Sequence, residues 1–166
     1  MTKEFDEFDL IVAGCSAAGA FAARDASRLG LKTLVLEEHA RSGKQGKCSG
    51  LVSVSGLKLL GVAGTEFDSS VVNEVRGAVL HAKKDEKTGW KKSVEFVVER
   101  RNAVARVLDR QAFDEVLARQ ARTAGAKILL NHRVTTLKQN GEGVVVRCGS
   151  GGSKIAAKFL IGADGA

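Results

Sequence analysis

The chain has 166 residues, 44% of them hydrophobic and 27% charged, with a formal charge of +7. That is enough chain for one good core or for part of a larger domain. The basic residues are not interleaved with aromatics, which speaks against nucleic acid as a partner, while the mild basicity suits an acidic ligand or an anionic membrane surface.

Residues 9–37, DLIVAGCSAAGAFAARDASRLGLKTLVLE, organise the rest. Residues 9–13 form a short apolar run, long enough for a buried strand. Gly14-Cys15-Ser16-Ala17-Ala18-Gly19 follows at once, and small residues dominate to Ala26. Residues 31–36 are a second apolar run, closed by Glu37 and Glu38. Strand, glycine turn, helix and strand make the βαβ unit that holds a dinucleotide in many oxidoreductases. Gly14 permits a sharp turn out of the strand. The amides after it open a helix, where unpaired N–H groups and the dipole favour a pyrophosphate. Gly19 and the alanines let the helix lie close to the sheet. Glu37, at the tip of the second strand, can accept from two ribose hydroxyls and would repel a 2′-phosphate; the bland reading is a solvated strand end. Ser16 stands where the usual middle glycine would be. Its hydroxyl either donates to a phosphate or crowds the site.

Residues 39–50, HARSGKQGKCSG, form a basic glycine-rich loop with Arg41, Lys44 and Lys47 as its cations. It leaves the ligand-binding edge of a parallel sheet. Two readings stand: a solvated surface loop, or a lid over phosphates with Cys48 facing a substrate. Residues 51–62 read as a short helix interrupted by Gly56. Residues 71–81 and 93–99 read as strands, with KKDEKTG between them as a hairpin turn. Residues 99–102 suggest a turn and 103–108 a short strand. A helix is expected over 109–125, with Phe113, Val116, Leu117, Gln120 and Ala121 on its amphipathic face. Residues 126–130 then make another parallel strand, and 133–137, 143–147 and 154–157 an antiparallel meander. The last run, FLIGADGA, is a strand emptying into glycine-flanked Asp164. A strand ending in a ligand loop suggests the N-terminal portion of something larger.

Cys15, Cys48 and Cys148 form no CxxC pair, and His39, His81 and His132 are scattered, so no metal site is expected. Dispersed thiols point to a reducing compartment and a cytoplasmic protein. The opening residues, MTKEFD, do not read as a signal peptide, and no apolar run reaches membrane-spanning length. Proline and tyrosine are absent, where about eight prolines would be usual, and nothing in the sequence explains it.

Four segments together resemble the geranylgeranyl reductases, especially the archaeal enzymes that saturate digeranylgeranylglycerophospholipids, within the flavoprotein fold of para-hydroxybenzoate hydroxylase. They are VAGCSAAG, KTLVLEEHARSGKQGKCSG, VLDRQAFDEVLARQARTAGAKIL and FLIGADGA. The resemblance covers essentially the whole chain. It implies an α/β fold: a Rossmann-like FAD-binding βαβ core with a parallel sheet, an antiparallel β-meander and a β-rich insertion, forming an incomplete domain. The expected division is 1–70 for the βαβ unit and basic loop, 71–108 for the insertion and 109–166 for the return to the FAD-binding domain.

By motif position, Gly14, Ser16, Ala17, Ala18 and Gly19 are similar to the family's pyrophosphate turn, and Glu37, with Glu38 beside it, to the ribose ligand. Lys47, Cys48, Ser49 and Gly50 resemble the loop near the flavin ring and lipid channel. Arg110 resembles the arginine opening the long helix, although a surface ion pair with Asp114 accounts for it equally well. Asp164 and Gly165 resemble the DG motif; a turn-capping aspartate is the alternative. GCSAAG departs from the family's G-x-G-P-A-G, and the later GD motif is absent. The resemblance implies reduction of isoprenoid carbon–carbon double bonds in prenyl lipids, with FAD as cofactor and NAD(P)H or reduced ferredoxin as electron donor. It also implies peripheral contact with the inner face of the membrane. Cys48 is the catalytic candidate, for proton delivery or alkene placement, against the reading of a small loop-lining residue. The alternatives are a flavin-dependent aromatic monooxygenase of the same fold, and a truncated or engineered nucleotide-binding module without turnover.

Overall fold

A computed structural model describes residues 8–43, 48–62, 64–82, 87 and 94–165. In chain order the elements are β1 (Phe8–Ala13), α1 (Ala17–Arg28), β2 (Thr33–Leu36), β3 (Leu51–Ser53), α2 (Val54–Leu59), α3 (Thr65–Asp68), β4 (Val71–Val75), β5 (Gly77–Ala82), β6 (Val94–Glu99), β7 (Ala105–Leu108), α4 (Arg110–Thr123), β8 (Lys127–Leu129), β9 (Val134–Asn140), β10 (Gly143–Cys148) and β11 (Ser153–Gly162). They fall into two compact units, Met1–Lys47 with Arg110–Ala166, and Cys48–Asp109.

The first unit carries a six-stranded sheet in the order β8-β2-β1-β11-β10-β9. The first four strands are parallel, and β9, β10 and β11 form the expected antiparallel meander. β11 belongs to both parts. Residues 153–157 pair with β10 and 157–162 with β1, so the two ladders meet at Ala157. The sequence suggested separate strands at 154–157 and 159–162. Nothing breaks the pleat between them, because Lys158 stays extended and its ammonium reaches the Asp9 carboxylate of β1 at 2.7 Å.

Alternation along β1 feeds two cores. Leu10 and Val12 join Cys15, Val35 and the small residues Ala23, Ala26, Ala118 and Ala121 of α1 and α4. Ile11 joins Leu34 and Leu36 with Val144, Val146 and Cys148 of β10. Each fully buried large aliphatic contributes on the order of 1.5–3 kcal/mol. The alanines of α1 and α4 let two backbones approach closely over the first core.

The second unit holds a three-stranded antiparallel sheet, β3-β7-β4, and a two-stranded ribbon, β5-β6. The helix expected over 51–62 is shorter and starts later. Residues Leu51–Ser53 pair with β7 as a strand, and Ser53 caps α2 by accepting from the Gly56 amide at 3.0 Å. The single strand expected over 71–81 breaks at Arg76. Val75 pairs with Ala105 of β7, whereas Gly77 pairs with Glu99 of β6. The partner strands are separated by residues 100–104, so the chain opposite must change partner too. The β5-β6 pairing is the expected hairpin; its turn lies outside the described residues except for Lys87. Among the described residues, no helix is long and apolar enough to cross a membrane.

Candidate cofactor-binding site

The parallel strands β2, β1 and β11 end at one edge of the first unit's sheet. From β1 the chain passes through α1 to β2 on one side, while β11 lies on the other, so the order reverses beside β1. Open parallel sheets take ligands at such a crevice. Gly14 leaves β1 with φ +102°, and its amide donates to the Leu36 carbonyl at 2.8 Å. A β-carbon on Gly14 would collide with the Ala163 carbonyl and lie 3.1 Å from Asp164 Cα. A β-carbon on Gly19 would run into the Gly14 carbonyl and stand 3.3 Å from Ala163 Cβ. The turn, the first turn of α1 and the loop after β11 therefore share a space closed to side chains. Ala17 is half-buried and Ala18 exposed at the helix start. Asp164 and Gly165 are exposed beside the turn, and Gly165 has φ +87°.

Glu37 faces this turn. It is 7% exposed. Its Oε2 accepts the Cys15 amide at 2.7 Å; Oε1 accepts the His39 amide at 2.9 Å and lies 2.7 Å from His39 Nδ1. The Glu37 amide donates to the Leu129 carbonyl at 2.9 Å, and its carbonyl accepts from His132 at 2.7 Å. The carboxylate is thus held by backbone on both sides, and carboxylate oxygens can each accept more than one bond. The first amide after Gly14 is engaged by Glu37 rather than left open, as the sequence suggested. Glu38 points elsewhere: its oxygens lie 3.6 Å from His39 Nε2 and 3.5 Å from Arg133 Nε.

Ser16 turns its side chain onto α4. It is the N-cap of α1 but makes no side-chain cap bond. Its Oγ donates to Asp114 Oδ2 at 2.8 Å and accepts from Arg110 Nη2 at 3.2 Å. Arg110 Nη2 also donates to Asp114 Oδ1 and Oδ2 at 3.0 and 3.1 Å. The Arg110–Asp114 pair expected at the surface is in fact mostly buried, with side chains 22% and 2% exposed. Gly43 lies over it; a β-carbon there would stand 2.8 Å from Asp114 Cβ and 3.1 Å from the Arg110 carbonyl. The same loop buries Ser42, whose hydroxyl donates to Cys15 Sγ at 3.3 Å. Burial pushes the Cys15 thiol above its ordinary value of 9.0, against a smaller opposing effect of the Ser42 hydrogen bond.

The first unit thus brings together Gly14, Ser16, Ala17, Ala18, Gly19, Glu37, Arg110, Asp164 and Gly165. Cys48, Ser49 and Gly50 belong to the second unit. There Cys48 and Ser49 are exposed, the Gly50 amide donates to Cys48 Sγ at 3.4 Å, and the Gly50 carbonyl accepts from Leu108 at 3.0 Å. Lys47 lies outside the described residues. Sequence reasoning passed over His39, Ser42 and Gly43, and saw in Asp114 only an ion-pair partner. The i,i+4 spacing to Arg110 and the apolar neighbours Phe113, Val116 and Leu117 were the available signs that Asp114 sits on a buried face.

A model of the FAD binding domain matches residues 7–166. The digeranylgeranylglycerophospholipid reductase of Thermoplasma acidophilum is 32% identical over 165 residues, covering 96% of this chain and 40% of the relative. The solved structure of a geranylgeranyl bacteriochlorophyll reductase-like protein from the same organism superposes with a TM-score of 0.78 at 29% identity, over 96% of this chain and 39% of that one. The anhydrotetracycline hydroxylase OxyS of Streptomyces rimosus superposes with a TM-score of 0.73 at 25% identity, over 96% of this chain and 32% of that one. The chain spans about two fifths of the length of the curated relatives it matches, 38% and 40% for two of them.

Proposed function

Because the chain belongs to the FAD-binding domain family, we propose that the turn at Gly14–Gly19 seats the diphosphate of FAD and that Glu37 receives the adenosine ribose. The observation that carries this reading is the Glu37 carboxylate closed onto the Cys15 amide, at a glycine turn packed so tightly against the loop after β11 that neither Gly14 nor Gly19 has room for a β-carbon. A strand that passes through such a turn into a helix N-terminus is the arrangement that takes a diphosphate in dinucleotide-binding folds. The backbone of Ser16, with Ala17 and Ala18, then lines the phosphates. Arg110 contributes positive charge next to them, and Asp164 and Gly165 border the flavin side. Glu38, Lys47, Ser49 and Gly50 are proposed as outer contacts.

The whole protein is proposed to be a reductase of isoprenoid double bonds in prenyl lipids, drawing electrons from NAD(P)H or reduced ferredoxin and touching the membrane peripherally. The names of the relatives support the reductase class and a prenyl-lipid substrate. Bound FAD would supply hydride chemistry that no side chain offers. The chain's own part is to fix the dinucleotide, and Cys48 Sγ is the proposed group for holding a proton or placing the alkene. The likeness to a hydroxylase structure keeps flavin-dependent hydroxylation as the second reading; oxygen consumption coupled to hydroxylated product in the whole protein would favour it.

The test is titration of the 166-residue chain with FAD, followed by flavin fluorescence and by gel filtration. Saturable quenching and a yellow protein peak are expected. A colourless peak with no quenching would overturn the seat.

A further inference from the structure

Ser16 is an unusual N-cap. A serine at this position normally accepts from the amide of the second or third helical residue, here Ala18 or Gly19. To do so its oxygen needs an open acceptor side. In this chain one of its two lone pairs accepts from Arg110 Nη2 at 3.2 Å and the hydroxyl proton goes to Asp114 at 2.8 Å, so both bonds pull the oxygen toward α4. The side chain is turned onto α4, and α1 has no side-chain cap. Asp114 is 1% exposed and lies under Gly43, so its carboxylate has little room to leave.

From this geometry we infer that Asp114 is a positioning residue: with Arg110 it latches the Ser16 hydroxyl away from the N-terminus of α1 and so keeps that terminus open for a diphosphate. The inference rests on the proposed FAD seat. It explains how the chain tolerates serine where a dinucleotide turn usually has glycine. The side chain is stored against the neighbouring helix, where its donor and one of its two acceptor lone pairs are engaged. Without Asp114 the hydroxyl turns inward and caps its own helix. A phosphate must then displace a hydrogen bond of ordinary cap strength, worth about tenfold in affinity.

The experiment is a double-mutant cycle in the 166-residue chain, with FAD affinity read by flavin fluorescence and the Ala18 and Gly19 amides read by hydrogen exchange. Asp114→Ala is expected to weaken FAD about tenfold when Ser16 is present, and less than about threefold in the Ser16→Ala background. Without any FAD, Asp114→Ala is expected to slow exchange at Ala18 or Gly19, and Ser16→Ala to abolish that slowing. A merely structural role for Asp114 predicts equal losses in both backgrounds and no added protection; that result overturns the inference. If Asp114→Ala does not fold, Asp114→Asn keeps the volume and is read by the same cycle, with a smaller effect of the same sign expected. If the unaltered chain fails to bind FAD, the seat itself is wrong. The exchange measurement then still decides whether the latch exists: unchanged protection removes it, and Ser16-dependent protection retains it as a latch on a helix end.

Discussion

β1 of the first unit and β6 of the second are both six-residue strands made mostly of apolar residues, five in β1 and four in β6, yet they meet opposite fates. In β1, five of six residues are buried, with Ile11 and Val12 at 0% exposure. In β6, VEFVVE, all six are exposed, Phe96 at 65% and Val97 at 61%. β1 has a strand on each side and a packed layer on each face; β6 has one neighbour, β5. Alternation gives the ribbon one wholly apolar face, made by Ala78, Leu80 and Ala82 opposite Val98, Phe96 and Val94. Apolar content therefore decides that a segment can be a strand. What lies against it decides whether that strand contributes to stability.

The contrast can be broken at its buried end. Leu34→Ala removes a fully buried side chain from the second core and is expected to cost about 2–5 kcal/mol in urea unfolding; a loss under 1 kcal/mol would mean that this core is looser than its burial implies. Within the site, Glu37→Ala should weaken FAD binding by about tenfold to a hundredfold, since it removes the acceptor proposed for the ribose and leaves the Cys15 amide without its Glu37 partner. Unchanged affinity in a fluorescence titration would separate Glu37 from the cofactor.

A pH series sharpens the same comparison. Burial raises the thiols of Cys15 and Cys148 above 9.0 in the folded chain. Above 9.0 the unfolded chain loses these protons first, so it binds fewer protons than the native state and stability falls as pH rises toward the raised values. Denaturant melts on either side of that window should show the decline, and Cys15→Ala should flatten part of it. The smallest effect belongs to the ribbon. Phe96→Ser is expected to change the unfolding free energy by no more than about 0.5 kcal/mol, because the side chain is already in water. A large loss would show that something covers that face.

The amino-acid sequence alone determined the βαβ unit, a long helix expected over 109–125 and found at Arg110–Thr123, the meander and the glycine turn. Each rests on local causes: apolar periodicity, glycine where the backbone needs room, and a run of alanines that can only mean close packing. It also determined where Glu37 would fall, because strand length fixes the position of a strand's last residue. Tertiary structure alone decided that β11 runs unbroken from the meander into the parallel sheet, since a strand's partners are chosen by distant chain. It likewise decided that residues 71–82 change partner at Arg76. And it decided the course of Ser16: a hydroxyl has several acceptors within reach in any local reading. Only the packing of α4 against α1 brings Asp114, 98 residues away, to 2.8 Å from it.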